Sequence, residues 1–167
     1  LDVSVWGDSP TGVKFSDDGL KIFISIYGLG TVYQYNLTDP YEITSGVTYT
    51  GSYDHSAEDS YAEDLDFSAD GLKMFILGSD NYTIFQYNLT NPFDITSGVT
   101  YSGNSFLHED YTTSLYGFTF KNDGTKLYLA DADDYTVKQF SLSTAYDLST
   151  ITYDGDPFPL VDVSPTG

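Results

Sequence analysis

Phe15-Ser16-Asp17-Asp18-Gly19-Leu20-Lys21-Ile22-Phe23-Ile24 returns as Phe67-Ser68-Ala69-Asp70-Gly71-Leu72-Lys73-Met74-Phe75-Ile76 and again as Phe120-Lys121-Asn122-Asp123-Gly124-Thr125-Lys126-Leu127-Tyr128-Leu129. The phenylalanines stand at positions 15, 67 and 120, and the glycines at 19, 71 and 124. A period near 50 residues belongs to propeller blades, whose units each bury a face against the next.

Within each unit the apolar residues alternate. Ile22, Ile24 and Ile26 fall on one face of a segment with Phe23 on the other, the period-2 signature of a strand. A third segment, Thr31-Val32-Tyr33-Gln34-Tyr35-Asn36-Leu37, recurs as Thr83-Ile84-Phe85-Gln86-Tyr87-Asn88-Leu89 and Thr136-Val137-Lys138-Gln139-Phe140-Ser141-Leu142. Its β-branched and aromatic alternation suits a pleated, two-sided sheet. Gly46-Val47-Thr48-Tyr49, Gly98-Val99-Thr100-Tyr101 and Ser149-Thr150-Ile151-Thr152-Tyr153 supply a fourth. The Asp-Gly pairs close the first hairpin, where glycine reaches positive φ without steric cost. Pro40 and Pro92 follow the third strand and remove a donor where a ladder should stop.

The expected architecture is therefore all-β: three four-stranded antiparallel meanders of about 52 residues, stacked as propeller blades. Blade 1 is placed at about 9–54, blade 2 at about 61–106 and blade 3 at about 114–157, with 158–167 starting a fourth repeat on Ser164-Pro165-Thr166-Gly167, the counterpart of Ser9-Pro10-Thr11-Gly12. A three-blade sector leaves two blade faces without a neighbour. If each exposes roughly 400 Å² of apolar surface, about 10 kcal/mol of burial is forgone per face. Further blades or copies of the chain are the expected partners, as a ring or as a filament.

Ser-Pro-Thr-Gly, Phe-Ser-x-Asp-Gly-x-Lys-x-Phe, Val-Tyr-Gln-Tyr-Asn-Leu and Pro-Tyr-Glu-Ile-Thr together resemble the lactonase-like (YVTN-type) propeller repeats, nearest to the tandem kind of environmental bacterial and phage surface proteins. The resemblance covers nearly the whole chain and implies a propeller fold. Lactonases of this kind would carry basic and acidic catalytic residues over the central channel, and no such constellation is legible here. Such folds host many functions.

The chain has 167 residues, 25 acidic against 6 basic, and a net charge of -19. Nucleic acid and insertion into a membrane are excluded as partners on charge and on the lack of a long apolar run. With no cysteine, thiolate chemistry and disulfides are excluded.

Propeller connectivity puts the fourth-to-first and second-to-third connections on one rim, which should be strongly negative. Asp131, Asp133 and Asp134, with Glu58 and Asp59, are the candidate ligands for Ca²⁺, a hard cation that takes six to eight oxygens; a solvated acidic loop is the simpler reading. His55 and His108, one period apart, with Glu109 and Asp110, are the candidate binding residues. Lys21, Lys73 and Lys126 recur as structural residues, and the aromatics Tyr33, Tyr35, Phe85, Tyr87 and Phe140 read as core. Trp6, ahead of the first blade, is expected either to pack over a neighbouring blade or to touch a ligand. Three sequons, at Asn36, Asn81 and Asn88, are candidate glycosylation sites on a protein expected outside the cell or at its surface. The function expected is a non-enzymatic scaffold or binding module, an adhesin or fibre component recognising glycans, proteins or cations. The alternative is a lactonase-like hydrolase with a metal site over a completed ring.

Overall fold

The computed structural model describes residues 1–5 and 9–160. Trp6 and the Ser-Pro-Thr-Gly at 164–167 lie outside the described residues. Three antiparallel meanders follow one another along the chain. The first is β1 (Pro10–Phe15), β2 (Lys21–Ile26), β3 (Thr31–Leu37) and β4 (Val47–Asp54). The second is β5 (Ala62–Phe67), β6 (Lys73–Gly78), β7 (Thr83–Leu89) and β8 (Val99–Leu107). The third runs through β9 (Leu115–Phe120), β10 (Lys126–Asp131), β11 (Thr136–Leu142) and β12 (Ile151–Tyr153), and β13 (Phe158–Pro159) also pairs with β11. Phe158 and Pro159 thus belong to the third sheet. A 3₁₀ turn, Leu148–Thr150, leads into β12. These are propeller blades, all-β and in sequential order.

The second strand of a blade feeds two cores at once. In β6, Met74 and Ile76 pack toward blade 1 among Phe23, Val32, Leu65 and Phe67. Phe75 and Leu77, from the opposite face, join Phe118, Phe120, Leu127 and Leu129 of blade 3. The strand is apolar on both faces because both are covered, as the pleat requires. Rings repeat across the two seams: Phe23 on Phe67 at 4.6 Å and Phe75 on Phe120 at 4.5 Å between centroids.

The Asp-Gly turns form as expected. Asp18 Oδ1 accepts from the Ser16 hydroxyl and the Leu20 amide, and Asp70 Oδ1 does the same with Ser68 and Leu72. Each turn glycine is then covered by an aromatic from the third-to-fourth connection, Tyr41, Phe93 or Tyr146, which donates its N–H to that glycine's carbonyl. These aromatics sit at positive φ, 61°, 51° and 55°, a region that costs a residue with a side chain roughly 1 kcal/mol. The hydrogen bond and the ring's cover over the glycine offset it.

That strained corner is also where neighbouring blades are fastened. Lys21 Nζ donates to the Phe93 carbonyl at 2.7 Å and Lys73 Nζ to the Tyr146 carbonyl at 2.8 Å. Beside them, Gln34 Oε1 accepts from the Ile95 amide at 2.9 Å, and Gln86 Oε1 from the Leu148 amide at 3.0 Å. Lysine and glutamine of one blade thus hold the same loop of the next. The recurring lysines have the structural role expected.

The outer face of blade 1 is less open than the sequence suggests. Ile22, Ile24, Ile26, Tyr33, Tyr35 and Leu37 form a buried cluster against which Val3 packs. The amino terminus also donates to the Ile43 carbonyl at 3.2 Å. Residues ahead of the first strand supply part of the cover that a neighbouring blade would give.

Candidate functional site

The fourth-to-first and second-to-third connections meet on one rim. Between blades 2 and 3 this rim holds a pocket of about 240 Å³ whose lining includes Tyr27, Glu63, Asp80, Tyr82, His108 and Tyr116. Glu63 is half-buried, and its burial raises its pKa above the usual carboxylate range. Asp80 is exposed.

The two histidines are inside the loops. His108 is 2% exposed, with Nδ1 3.0 Å from the Thr112 carbonyl and no partner for Nε2 among the described residues. A carbonyl partner requires Nδ1 to donate, so the lone pair sits on Nε2. His55 is fully buried, and neither ring nitrogen has a hydrogen-bond partner among the described residues. Burial pushes its pKa down to about 4, and that of His108 below the usual value. Both are neutral at pH 7. Glu109 and Asp110, which follow His108, point into solvent and are exposed.

The acidic triplet is organised round an ammonium. Lys138, buried, pairs with Asp131 and reaches Asp134 at 3.3 Å. Asp131, 3% exposed, also accepts from the Thr112 hydroxyl at 2.7 Å and the Asp133 amide at 3.0 Å, while Asp133 accepts from Thr113. Burial opposes ionisation of Asp131, but the lysine and these donors together hold its pKa low. The positive charge at this spot comes from the chain itself. The sequence signal was a paired replacement: Lys138 stands where Tyr33 and Phe85 do, and Asp131 where Ile26 and Gly78 do. A charge on either position alone would be buried unpaired.

Asp59, on another loop, is buried and caps the turn by accepting from the Tyr61 and Asn81 amides at 2.7 and 3.2 Å; its burial raises its pKa. Glu58 is half-buried and takes the Tyr87 hydroxyl at 3.3 Å. The structure therefore leaves Glu58 and Asp59 apart from the Asp131 triplet. Among the described residues, no three His, Asp or Glu side chains are grouped to hold a metal. Asn36, Asn81 and Asn88 are exposed. The Asn81 side chain donates to the Glu58 carbonyl.

On the innermost strands the structure adds residues that motif reading passed over. Lys14 pairs with Asp66 at 2.7 Å, and Asp66 accepts from the Phe120 amide in turn. Lys14, Asp66 and Thr119 each precede the recurrent phenylalanine, so the line across the blades follows from the repeat. Asp64 accepts from the Phe118 amide at 3.1 Å, and its burial raises its pKa. A smaller cavity of about 160 Å³ opens beside Lys14, Asp66 and Thr119 toward the Asp-Gly rim.

Comparison with solved structures bears on the fold. A candidate 6-phosphogluconolactonase from Bacteroides fragilis superposes with a TM-score of 0.63 at 16% identity over 90% of this chain and 39% of its own. A periplasmic gluconolactonase from Pseudomonas aeruginosa gives 0.57 at 19% identity, over 89% and 38%. A protein from Lactobacillus plantarum gives 0.62 at 19%, over 90% and 41%. The blades have the lactonase-like propeller fold. The chain spans about two fifths of the length of these structures. No family model and no curated protein matches the sequence. Among the described residues no helix is long and apolar enough to cross a membrane.

Proposed function

We propose that the chain is a three-blade run of YVTN-type repeats, with blades at about 9–54, 61–106 and 114–157, and that it belongs to a hydrolase acting on a lactone or ester. The observation that carries this reading is the rim pocket holding Glu63, Asp80 and His108, in a fold whose solved neighbours include a periplasmic gluconolactonase. Ring opening needs a group that takes a proton from water and returns one to the leaving alkoxide. A carboxyl whose pKa is raised by burial suits that exchange better than an ordinary one, and Glu63 is such a group. His108 lines the same pocket as a neutral side chain.

The test is a hydrolysis screen of six-membered lactones and aryl esters with the intact chain and Glu63→Gln. At least a hundredfold loss of turnover in the variant, with an unchanged circular dichroism spectrum, is expected. Absence of turnover on every substrate sinks the hydrolase reading. Loss of turnover with EDTA would assign a metal, such as Ca²⁺, to the rim.

The non-enzymatic reading, a surface or extracellular scaffold for cations, glycans or proteins, is favoured by one observation. Glu109, Asp110, Asp133 and Asp134 are exposed on the same rim. Calorimetric titration with Ca²⁺ and intact mass before and after deglycosylation test that reading at Asn36, Asn81 and Asn88.

A further inference from the structure

The rim pocket between blades 2 and 3 offers acceptors, hydroxyls and rings but no positive charge. Glu63, Asp80, His108 and the rings of Tyr27, Tyr82 and Tyr116 border it, and no lysine does. The six basic residues of the chain are all lysines, and each is engaged elsewhere. Lys14, Lys121, Lys126 and Lys138 pair with Asp66, Asp123, Asp154 and Asp131, and Lys21 and Lys73 hold the carbonyls of Phe93 and Tyr146. The lining runs from position 27 to position 116, inside the array.

Two of the polar groups there lack the partner their chemistry calls for. His108, 2% exposed, spends its Nδ1–H on the Thr112 carbonyl, and Nε2, which keeps the lone pair, has no partner among the described residues. A buried acceptor left unpaired is costly. Glu63 is half-buried, and the Ser79 hydroxyl offsets only part of the burial that raises its pKa. A positive group in the pocket would favour its charged form.

A ring is kept at this spot against the preference of the backbone. Tyr82 has φ 47° where blade 1 has Gly30 at φ 59°, and blade 3 has Tyr135 at φ 54°. Glycine reaches that region freely, and tyrosine reaches it only at a cost. The Tyr82 ring meets the His108 ring edge-on at 6.2 Å between centroids, and Tyr27 rests on Tyr61 at 4.9 Å. The face of a tyrosine ring attracts an ammonium group.

The next blade shows what this rim can hold. There Asp131 and Asp134 take the ammonium of Lys138. Asp80 stands where Asp133 does, but Phe85 stands where Lys138 does, so blade 2 has an acidic loop without an internal cation. Among the described residues no three His, Asp or Glu side chains are grouped to hold a metal ion. An ammonium takes its acceptors at about 2.8 Å, further out than a metal ion does, and its alkyl chain can lie along the rings.

We propose that this pocket binds a small organic cation bearing a primary ammonium group. Glu63 and Asp80 take two of its N–H donors, Nε2 of His108 takes the third, and Tyr27, Tyr82 and Tyr116 flank its alkyl chain. The field of a chain of charge -19 draws such a cation in and turns ligands bearing phosphate or carboxylate away. The inference concerns what the pocket holds and stands whether or not the rim hydrolyses anything.

Calorimetric titration of the intact chain with n-butylammonium, 1-butanol and butyrate is the test, at about 0.15 M salt to screen non-specific attraction. The ammonium should bind at least tenfold more tightly than the alcohol, and butyrate should not bind. Glu63→Gln should weaken the ammonium at least tenfold. Asp39→Asn, the same change of charge at an exposed position on the other rim, should leave it within twofold. Tyr82→Gly, the blade 1 residue, removes the ring while suiting the backbone, and should weaken binding at least threefold. Alcohol and ammonium binding alike, Glu63→Gln and Asp39→Asn acting alike, or an unchanged affinity in a folded Tyr82→Gly protein overturns the proposal. Turnover is read separately, so ammonium binding without hydrolysis upholds this proposal and sinks the hydrolase reading alone.

Discussion

Lys73 Nζ lies 2.8 Å from the carbonyl oxygen of Tyr146, one blade further along the chain, and so repeats the bond of Lys21 to Phe93. A half-buried ammonium on a strained corner links the hairpin turn of one blade to its neighbour's strand. Hydrogen bonds to charged groups are worth about 1.5–3 kcal/mol. Lys73→Met should therefore lower the unfolding free energy by about that amount in urea titration. Lys126→Met, which loses the more exposed Asp154, should cost less than about 1 kcal/mol.

The buried glutamines make a sharper contrast. Gln86, 3% exposed, is the acceptor for the Leu148 amide. Gln86→Leu leaves that amide without a partner in a dry seam, a loss of about 1–3 kcal/mol. Gln139→Leu has only the Asp154 contact to lose. A fall in Tm at least twice as large for the Gln86 variant is expected.

Two glycines with nearly the same backbone test the aromatic cover. Gly71 has φ 68° and its Cβ would enter the Phe93 ring; Gly103 has φ 82° with open space. Gly103→Ala should cost about 1 kcal/mol for the left-handed conformation alone. Gly71→Ala should cost clearly more, because the ring must move off the turn. Equal losses in thermal unfolding would mean that the ring does not seat there.

Acid stability should report the buried His55. Its folded pKa of about 4 lies below the unfolded value of 6.5, so between these limits the unfolded chain binds more protons. Stability is then fully present above pH 6.5 and falls as the pH drops toward 4. At 1.36 kcal/mol per pH unit the loss approaches roughly 3 kcal/mol. The raised pKa values of Asp59 and Asp64 act with the opposite sign, so the difference between wild type and His55→Gln is the readout. That difference should shrink as the pH falls from 6.5 to 4.

Much of the fold is legible in the sequence because the repeat carries it. Phe15, Phe67 and Phe120 fix the period, and the alternation in Lys73–Gly78 shows a strand covered on both faces. The site is less legible. His55 and His108 look like rim ligands beside acidic pairs, yet their rings turn inward, because the backbone bonds His55 N to Gly30 O and His108 N to Tyr82 O pull both residues beneath the loops. Asp131, Asp133 and Asp134 read as a cation cradle only until Lys138 is placed among them, and strand pairing rather than spacing brings it there. The glutamine and lysine fastenings cross about 60 to 73 positions, a separation at which only the repeat register says which residues meet.

Amide hydrogen exchange tests the central claim, that each blade is fastened to the next by lysine and glutamine on one loop. The Ile95 and Leu148 amides should exchange slowly, and Ile43, the same position in blade 1, orders of magnitude faster. Gln86→Ala should release Leu148 and leave Ile95 protected. Ile95 and Leu148 exchanging as fast as Ile43, or Leu148 staying protected in the Gln86 variant, would contradict it.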